Sequence, residues 1–260
     1  MSRVPTSGWY RRFVADLADV SPDRYAPLIA PVIERLTLAV VRMAVARAAG
    51  TPAPYGAPPE AMRMLGQLRT ALFARTVTAA GIAAVYRYRD AEEVRRDLER
   101  LRAAGLIGIA DDGAIQATQP GRAVLAEMYK VSADVVGQLW SQHEGSLAGL
   151  ADLAGRLVRA ALPTGGDAYT AVAPPHETAD ATAGLLLHLR LSVLRYHRAD
   201  AHAAAWQAAG LTSKDIREMP AGATRIAIEA DTNRRAGVPY ATLSPDERLT
   251  LLAALGAFAG

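Results

Sequence analysis

Cysteine is missing from this 260-residue chain. Its absence excludes disulfide staples, thiolate catalysis and cysteine-ligated zinc. Lysine is nearly missing too: it occurs only at Lys130 and Lys214, so almost all positive charge is arginine. Phenylalanine occurs 3 times and strand-like patterns are short, which argues against a large sheet. No uninterrupted apolar run reaches the roughly 18 residues that a membrane span needs. The opening MSRVPTSGWYRRF lacks the apolar core of a signal peptide, so a cytoplasmic location is expected. There is no strand-turn-helix GxGxxG, no P-loop, no GxSxG and no HExxH. No cofactor and no metal are therefore expected.

What is present favours helix. Hydrophobic residues make up 51% of the chain and charged residues 21%, enough apolar matter for a sizeable core. Alanine and leucine dominate, and both are strong helix formers. The net charge of +3 permits nucleic-acid binding without demanding it. The reading is a mainly α protein.

Three regions follow from the patterning. Residues 1–58 read as a leader, with Trp9, Tyr10 and Phe13 set to pack, then a helix from Pro27 to Ala49 suited to packing or dimerisation. The stretch TPAPYGAPP forms a linker, and a helix with Met62, Leu65, Leu68 and Leu72 on one face begins at Pro59. Residues 59–140 form a winged helix-turn-helix, with two helices followed by strands 106–109 and 114–117 around the turn Asp111-Asp112-Gly113. Asp90 is placed to cap helix 91–104 with Glu93 as capping-box partner, and Gly105 to end it. Residues 141–260 form a helical C-terminal half. Helices are expected near 146–162, 179–196, 199–210, 221–236 and 245–258, with PTGGD as a loop. Ser244-Pro245-Asp246-Glu247 is a strong helix start.

The residues Leu98, Arg100, Leu101, Gly105, Leu106, Ile107, Thr118, Gly121, Arg122 and Leu125 carry the pattern LxRLxxxGLI, hairpin, TxxGRxxL. It resembles the multiple-antibiotic-resistance regulator (MarR) type of winged helix, over a fifth to a quarter of the chain. The resemblance implies a dimeric transcription regulator on double-stranded DNA, with helix 91–104 in the major groove. Arg87, Arg89, Arg95 and Arg96 are then the expected DNA contacts, since arginine suits guanine and phosphate. Between residues 61 and 104, nine arginines face five acids. The acids sit badly for this role. Glu92 and Glu93 occupy the first turn of the reading helix and Asp111-Asp112 the wing tip, and each carboxylate near a phosphate weakens the counterion-release term.

The C-terminal half carries a second constellation. His188, Ser192 and Arg195 form one polar stripe on an otherwise apolar helix. Beyond it lies Tyr196-His197-Arg198-Ala199-Asp200-Ala201-His202. The segment LRYHRADAHAAAWQAAGL resembles a motif of actinobacterial helical proteins with HRxDxH before an alanine-rich helix, and IEADTNRRAGVPYATLSPDERLTLLAAL resembles their closing segment; neither likeness implies an established chemistry.

His197, Asp200 and His202 have acid–base composition, though His residues five apart do not share a helix face. A chain break near Arg198 could unite them, with Glu229, Asp231 and Asn233 as partners. The plainer alternative is that Asp200 caps or pairs with a neighbouring helix and the histidines are satisfied interior groups. A ligand pocket would use His188, Arg195, Tyr196, His197, His202 and Trp206. Three functions stay open: a winged-helix regulator, homodimeric and responsive to a small-molecule effector; a small-molecule-binding protein or enzyme on the same scaffold, with His197, Asp200 and His202 as catalytic candidates; and a winged module that binds protein.

Overall fold

The computed structural model describes residues 20–48 and 54–258. Among these residues there are twelve α-helices and a two-stranded antiparallel sheet. None of those helices is long and apolar enough to cross a membrane. The expected packing of Trp9, Tyr10 and Phe13 lies outside the described residues.

Helix α1 (Pro22–Ala48) starts before the proline expected to open it. The Ser21 carbonyl accepts the amides of Arg24 and Tyr25 at 3.0 and 2.8 Å, and Pro22 takes the first helical position. Pro27 and Pro31 therefore sit inside the helix. Each removes a backbone hydrogen bond. Burial of Ile29, Ile33, Leu36 and Val40 on one face offsets that loss.

Helices α2 (Pro59–Gln67) and α3 (Arg69–Leu72) lead to α4 (Ala79–Val85) and α5 (Ala91–Ala103). Thr78 caps α4 through the Gly81 amide at 3.1 Å. Asp90 caps α5, accepting the Glu92 and Glu93 amides at 3.0 Å. At Gly105 the backbone turns left-handed, φ +70°, and ends the run. Strands β1 (Ile107–Ile109) and β2 (Ile115–Ala117) pair with Ile107 opposite Ala117, and Val77 adds a single bridge to Ile115. The hairpin thus ties the chain before α4 to the chain after α5.

Helix α6 (Gln119–Leu139) is capped by Thr118 and followed by α7 (Glu144–Ala161). The expected PTGGD loop leads directly into a helix that the sequence did not suggest, α8 (Asp167–Val172). The helix α9 (Ala183–Ala208) is continuous, which corrects the expected break near Arg198. No glycine or proline lies between Gly184 and Gly210, so nothing interrupts the Leu- and Ala-rich run. Short α10 (Ser213–Glu218) starts at a Thr212/Asp215 capping box. Helices α11 (Ala223–Gly237) and α12 (Pro245–Ala257) close the chain, the second from the Ser244/Glu247 capping box.

Helix α9 is the axis of the molecule, packed by α1, α6, α7, α8 and α11. Its Leu187, Leu189 and Leu191 are fully buried, as an all-round apolar helix requires. One apolar cluster runs from Tyr25 through Leu65, Leu101 and Ile115 to Leu157, Leu191 and Leu255. The hairpin segment and the C-terminal helices therefore share a core. Helix α4 lies directly on α8, where a Cβ at Gly81 would stand 2.7 Å from the Ala171 methyl.

The hairpin is held to α6 by an equally close approach. A Cβ at Gly121 would stand 1.9 Å from the Leu106 carbonyl oxygen. Gly121→Ala should lower the urea midpoint by the equivalent of roughly 3 kcal/mol, as backbone overpacking does. Gly137 in the same helix has open space around its Cβ position. Gly137→Ala should instead stabilise by up to about 1 kcal/mol, the helix-propensity difference. Equal effects of the two substitutions would contradict this packing.

Candidate functional site

The C-terminal constellation divides into two layers. The inner layer is structural. Gly166 precedes the first turn of helix α8 and offers no side-chain cap. Asp200, on α9, supplies one: its Oδ2 accepts the Tyr169 amide at 2.8 Å. Its Oδ1 pairs with the Arg87 guanidinium. Arg87 also donates to the carbonyls of Ala84 and Ala199, at 2.7 and 3.3 Å. Asp200 sits against Gly166, where a Cβ would lie 2.9 Å from its carboxyl carbon. His197, one turn before, places Nε2 2.9 Å from Thr164 Oγ1 and packs edge-on against Tyr169. Burial pushes this imidazole down to about 4, against the pull of Asp200.

The outer layer is a cleft of about 610 Å³ between α1, α9 and α11. Its apolar lining includes Pro27, Ile33, Leu194 and Pro239. Two ion pairs span its walls: Arg195 with Glu34 at 3.5 Å, and Arg198 with Glu229 at 3.5 Å. Arg198 also donates to Asn233 Oδ1 at 2.9 Å. Tyr88, from the turn between α4 and α5, reaches into the same cleft. Its hydroxyl lies 3.1 Å from His202 Nδ1 and accepts the Trp206 indole N–H at 3.2 Å. The other ring nitrogen of His202 is 3.8 Å from Glu229 Oε1.

The expected ligand set is thereby divided. Arg195, His197 and His202 line the cleft. His188, Tyr196 and Trp206 do not, which corrects that part of the expectation. The His188 side chain is fully buried, 2.9 Å from Arg69 Nη2. Burial and the nearby Arg69 and Arg195 hold its pKa well below the ordinary range. Tyr196 packs on the main core, and Trp206 is buried with Ile216 and Ile228. The expected trio His197, Asp200 and His202 does not converge either. On a continuous helix these side chains point to different neighbours, and only His202 has polar partners within the cleft. Asp231 pairs with Arg234 and Arg235 instead of joining the histidines. Among the described residues no group of three or more His, Asp or Glu is placed to hold a metal.

Tyr88 is the residue that sequence reasoning missed. It lies over a hundred positions from His202, and no local motif marks it. Its position between Arg87 and Arg89, in the turn between α4 and α5, was its only signal.

The four arginines expected at DNA fare differently from one another. Arg87 is corrected: its guanidinium is largely buried against Asp200 and is not available to a duplex. Arg89 donates to buried Asp97 at 2.8 Å. Arg95 is exposed and pairs with Glu92 at 2.6 Å. Arg96 is exposed and donates to the Glu92 carbonyl at 3.3 Å. Farther along α5, Arg102 pairs with Glu99 at 2.8 Å and Arg100 with Asp97 at 3.2 Å. Most of the guanidinium charge on α5 is thus met by carboxylates of the same helix.

No family model, no curated protein and no solved structure matches the chain.

The buried state of His197 makes a prediction for stability. Its folded value of about 4 lies below the ordinary 6.5. The unfolded chain therefore binds the extra proton first, and stability falls as pH drops from 6.5 toward 4. The loss should reach on the order of 3 kcal/mol and stay constant below that window. His197→Gln, which keeps a polar partner for Thr164, should flatten this part of the stability-versus-pH curve measured by urea unfolding. An unchanged slope would mean that His197 is protonated in the folded protein.

Proposed function

We propose that this chain is a small-molecule-binding protein built on a winged helix-turn-helix scaffold. The scaffold reading is supported by element order. A helical pair is followed by the Val77 bridge, α4, α5 and the β1–β2 hairpin, and the hairpin register matches the LxRLxxxGLI and TxxGR signals. The observation that carries the binding reading is the cleft itself. Its volume of about 610 Å³ falls within the range of small-molecule sites, roughly 300–1,000 Å³. Its lining fits such a ligand: apolar walls, a few convergent polar groups and charges already neutralised in pairs. The preferred ligand is a largely apolar organic molecule of no strong net charge, since each cation in the walls has its own acid.

A second reading is DNA-binding regulation by a homodimer. What favours it is the exposed flank of α5, with Arg95, Arg96 and Arg102 at the surface. The two readings are compatible in one molecule, because Tyr88 belongs both to the cleft and to the turn that sets the angle of α5. A ligand that moves Tyr88 would move the reading helix. Effector-controlled DNA affinity is the form this takes.

A thermal-shift screen of uncharged aromatic and carbonyl compounds tests the primary reading. At a hundredfold excess over Kd, a ligand should add about 2.7 kcal/mol, a rise of several degrees. Ala30→Phe, which fills the cleft from α1, should abolish the shift. In parallel, fluorescence anisotropy with mixed-sequence duplexes in low salt measures DNA binding. Binding of DNA that is lost in Arg95→Ala/Arg96→Ala, with no compound shifting the melting temperature, would replace the ligand reading by the regulatory one.

A further inference from the structure

Two hydrogen bonds and one longer polar contact, Glu229 to His202 at 3.8 Å, form a chain with a direction at the mouth of the cleft. Glu229 faces His202 Nε2, His202 Nδ1 faces the Tyr88 hydroxyl, and the Trp206 indole donates to the same hydroxyl. Because the indole N–H can only donate, the Tyr88 oxygen is its acceptor. The phenolic proton is then free to point at His202 Nδ1, which places the imidazole N–H on Nε2, toward Glu229. Carboxylate, imidazole and hydroxyl in that order are the parts of an activated nucleophile or base, with the third group orienting the second. All three line the cleft.

From this geometry we infer that Tyr88 is an acid–base catalytic residue, deprotonated by His202 with Glu229 as the positioning residue. The cleft would act on an uncharged organic molecule bearing a weakly acidic O–H or C–H. This inference rests on the proposal that the cleft binds small molecules. In the step, the Tyr88 O–H bond breaks and an N–H bond forms at His202 Nδ1. The phenolate keeps the Trp206 N–H as a donor, and Glu229 faces the new imidazolium. The phenolate then takes a proton from the bound molecule, and His202 releases its own to solvent or back to product. No oxidant, metal or second reactant is needed.

The charged groups around the relay set its working state. His202 faces Glu229 from α11, Arg198 from its own helix, Arg225 from α11 and Arg87 from the turn before α5. Burial is the largest influence and lowers the imidazole pKa, with Glu229 opposing and the three arginines assisting. A neutral imidazole is the form able to accept the phenolic proton.

An electrophile that reads the phenolate directly tests the relay without knowledge of the natural ligand. Benzenesulfonyl fluoride forms an S–O bond to a tyrosine as S–F breaks and fluoride leaves. With the full chain at neutral pH and site assignment by mass spectrometry, Tyr88 should be modified at least tenfold faster than Tyr55, which is 59% exposed and serves as the internal reference. His202→Gln should remove that advantage. Glu229→Gln should reduce the advantage severalfold and shift the pH profile. If the histidine substitution unfolds the chain, Trp206→Phe provides the second arm: loss of the indole N–H should slow Tyr88 labelling while circular dichroism stays helical. Tyr88 reacting no faster than Tyr55, or at a rate indifferent to both His202→Gln and Trp206→Phe, overturns the relay. If compounds still raise the melting temperature in an Ala30→Phe-sensitive way, the binding reading survives that failure. If they do not, both fall.

Discussion

One buried carboxylate ties the molecule together. Asp200 lies on the central helix, caps α8 through the Tyr169 amide and pairs with Arg87 from the turn before α5. Three elements far apart in sequence meet at its two oxygens. The arrangement satisfies the orphan amide of a helix with no cap of its own. It also gives a largely buried guanidinium its counter-charge. Removing one partner of such a pair typically costs about 3–5 kcal/mol, because the other is left buried and unpaired. Through it Arg87 holds the Ala84 carbonyl of α4 while Asp200 holds the Tyr169 amide of α8, on the two sides of the close seat of α4 on α8. So does the position of Tyr88, next to Arg87, at the mouth of the cleft.

That constraint gives the cleft its shape. The turn between α4 and α5 is held by Arg87 through Asp200 and by Tyr88 through His202, so the cleft wall belongs partly to that turn and partly to α9. The ion pairs Arg195–Glu34 and Arg198–Glu229 neutralise its rim. Half-exposed pairs of this kind contribute little to stability. Their effect falls on selectivity, since an uncharged ligand need not compete with them. The exposed flank of α5 has the opposite character: Glu92 and Glu99 pair with its Arg95 and Arg102, and the hairpin tip carries Asp111 and Asp112.

Local features were legible in the sequence, and long-range ones were not. Asp90 and Ser244 could be recognised as caps because a cap bonds to amides two or three residues on. The hairpin could be placed from Asp-Asp-Gly between two short apolar runs. Helix α8 escaped because its cap is Asp200, far along the chain, and its start is disguised by Gly165-Gly166. Arg87 looked like a DNA contact because a sequence shows charge without showing its partner. The continuity of α9 was underestimated at Tyr196-His197-Arg198, where polar residues suggest a boundary although none of them breaks a helix. Of the candidate site, Arg195, His197, His202 and Glu229 could be anticipated. Tyr88 could not, since only the fold brings it to His202.

Native-state hydrogen exchange tests the central claim most directly, namely that the Asp200 junction makes the hairpin segment and the C-terminal helices one cooperative unit. The slowest amides of α4 and α5 should open with the same free energy as those of α8 and α9, up to global unfolding. Asp200→Asn should split them, with the 79–117 segment opening first. Independent opening of that segment in the unaltered protein, at a free energy well below that of α9, would contradict the account.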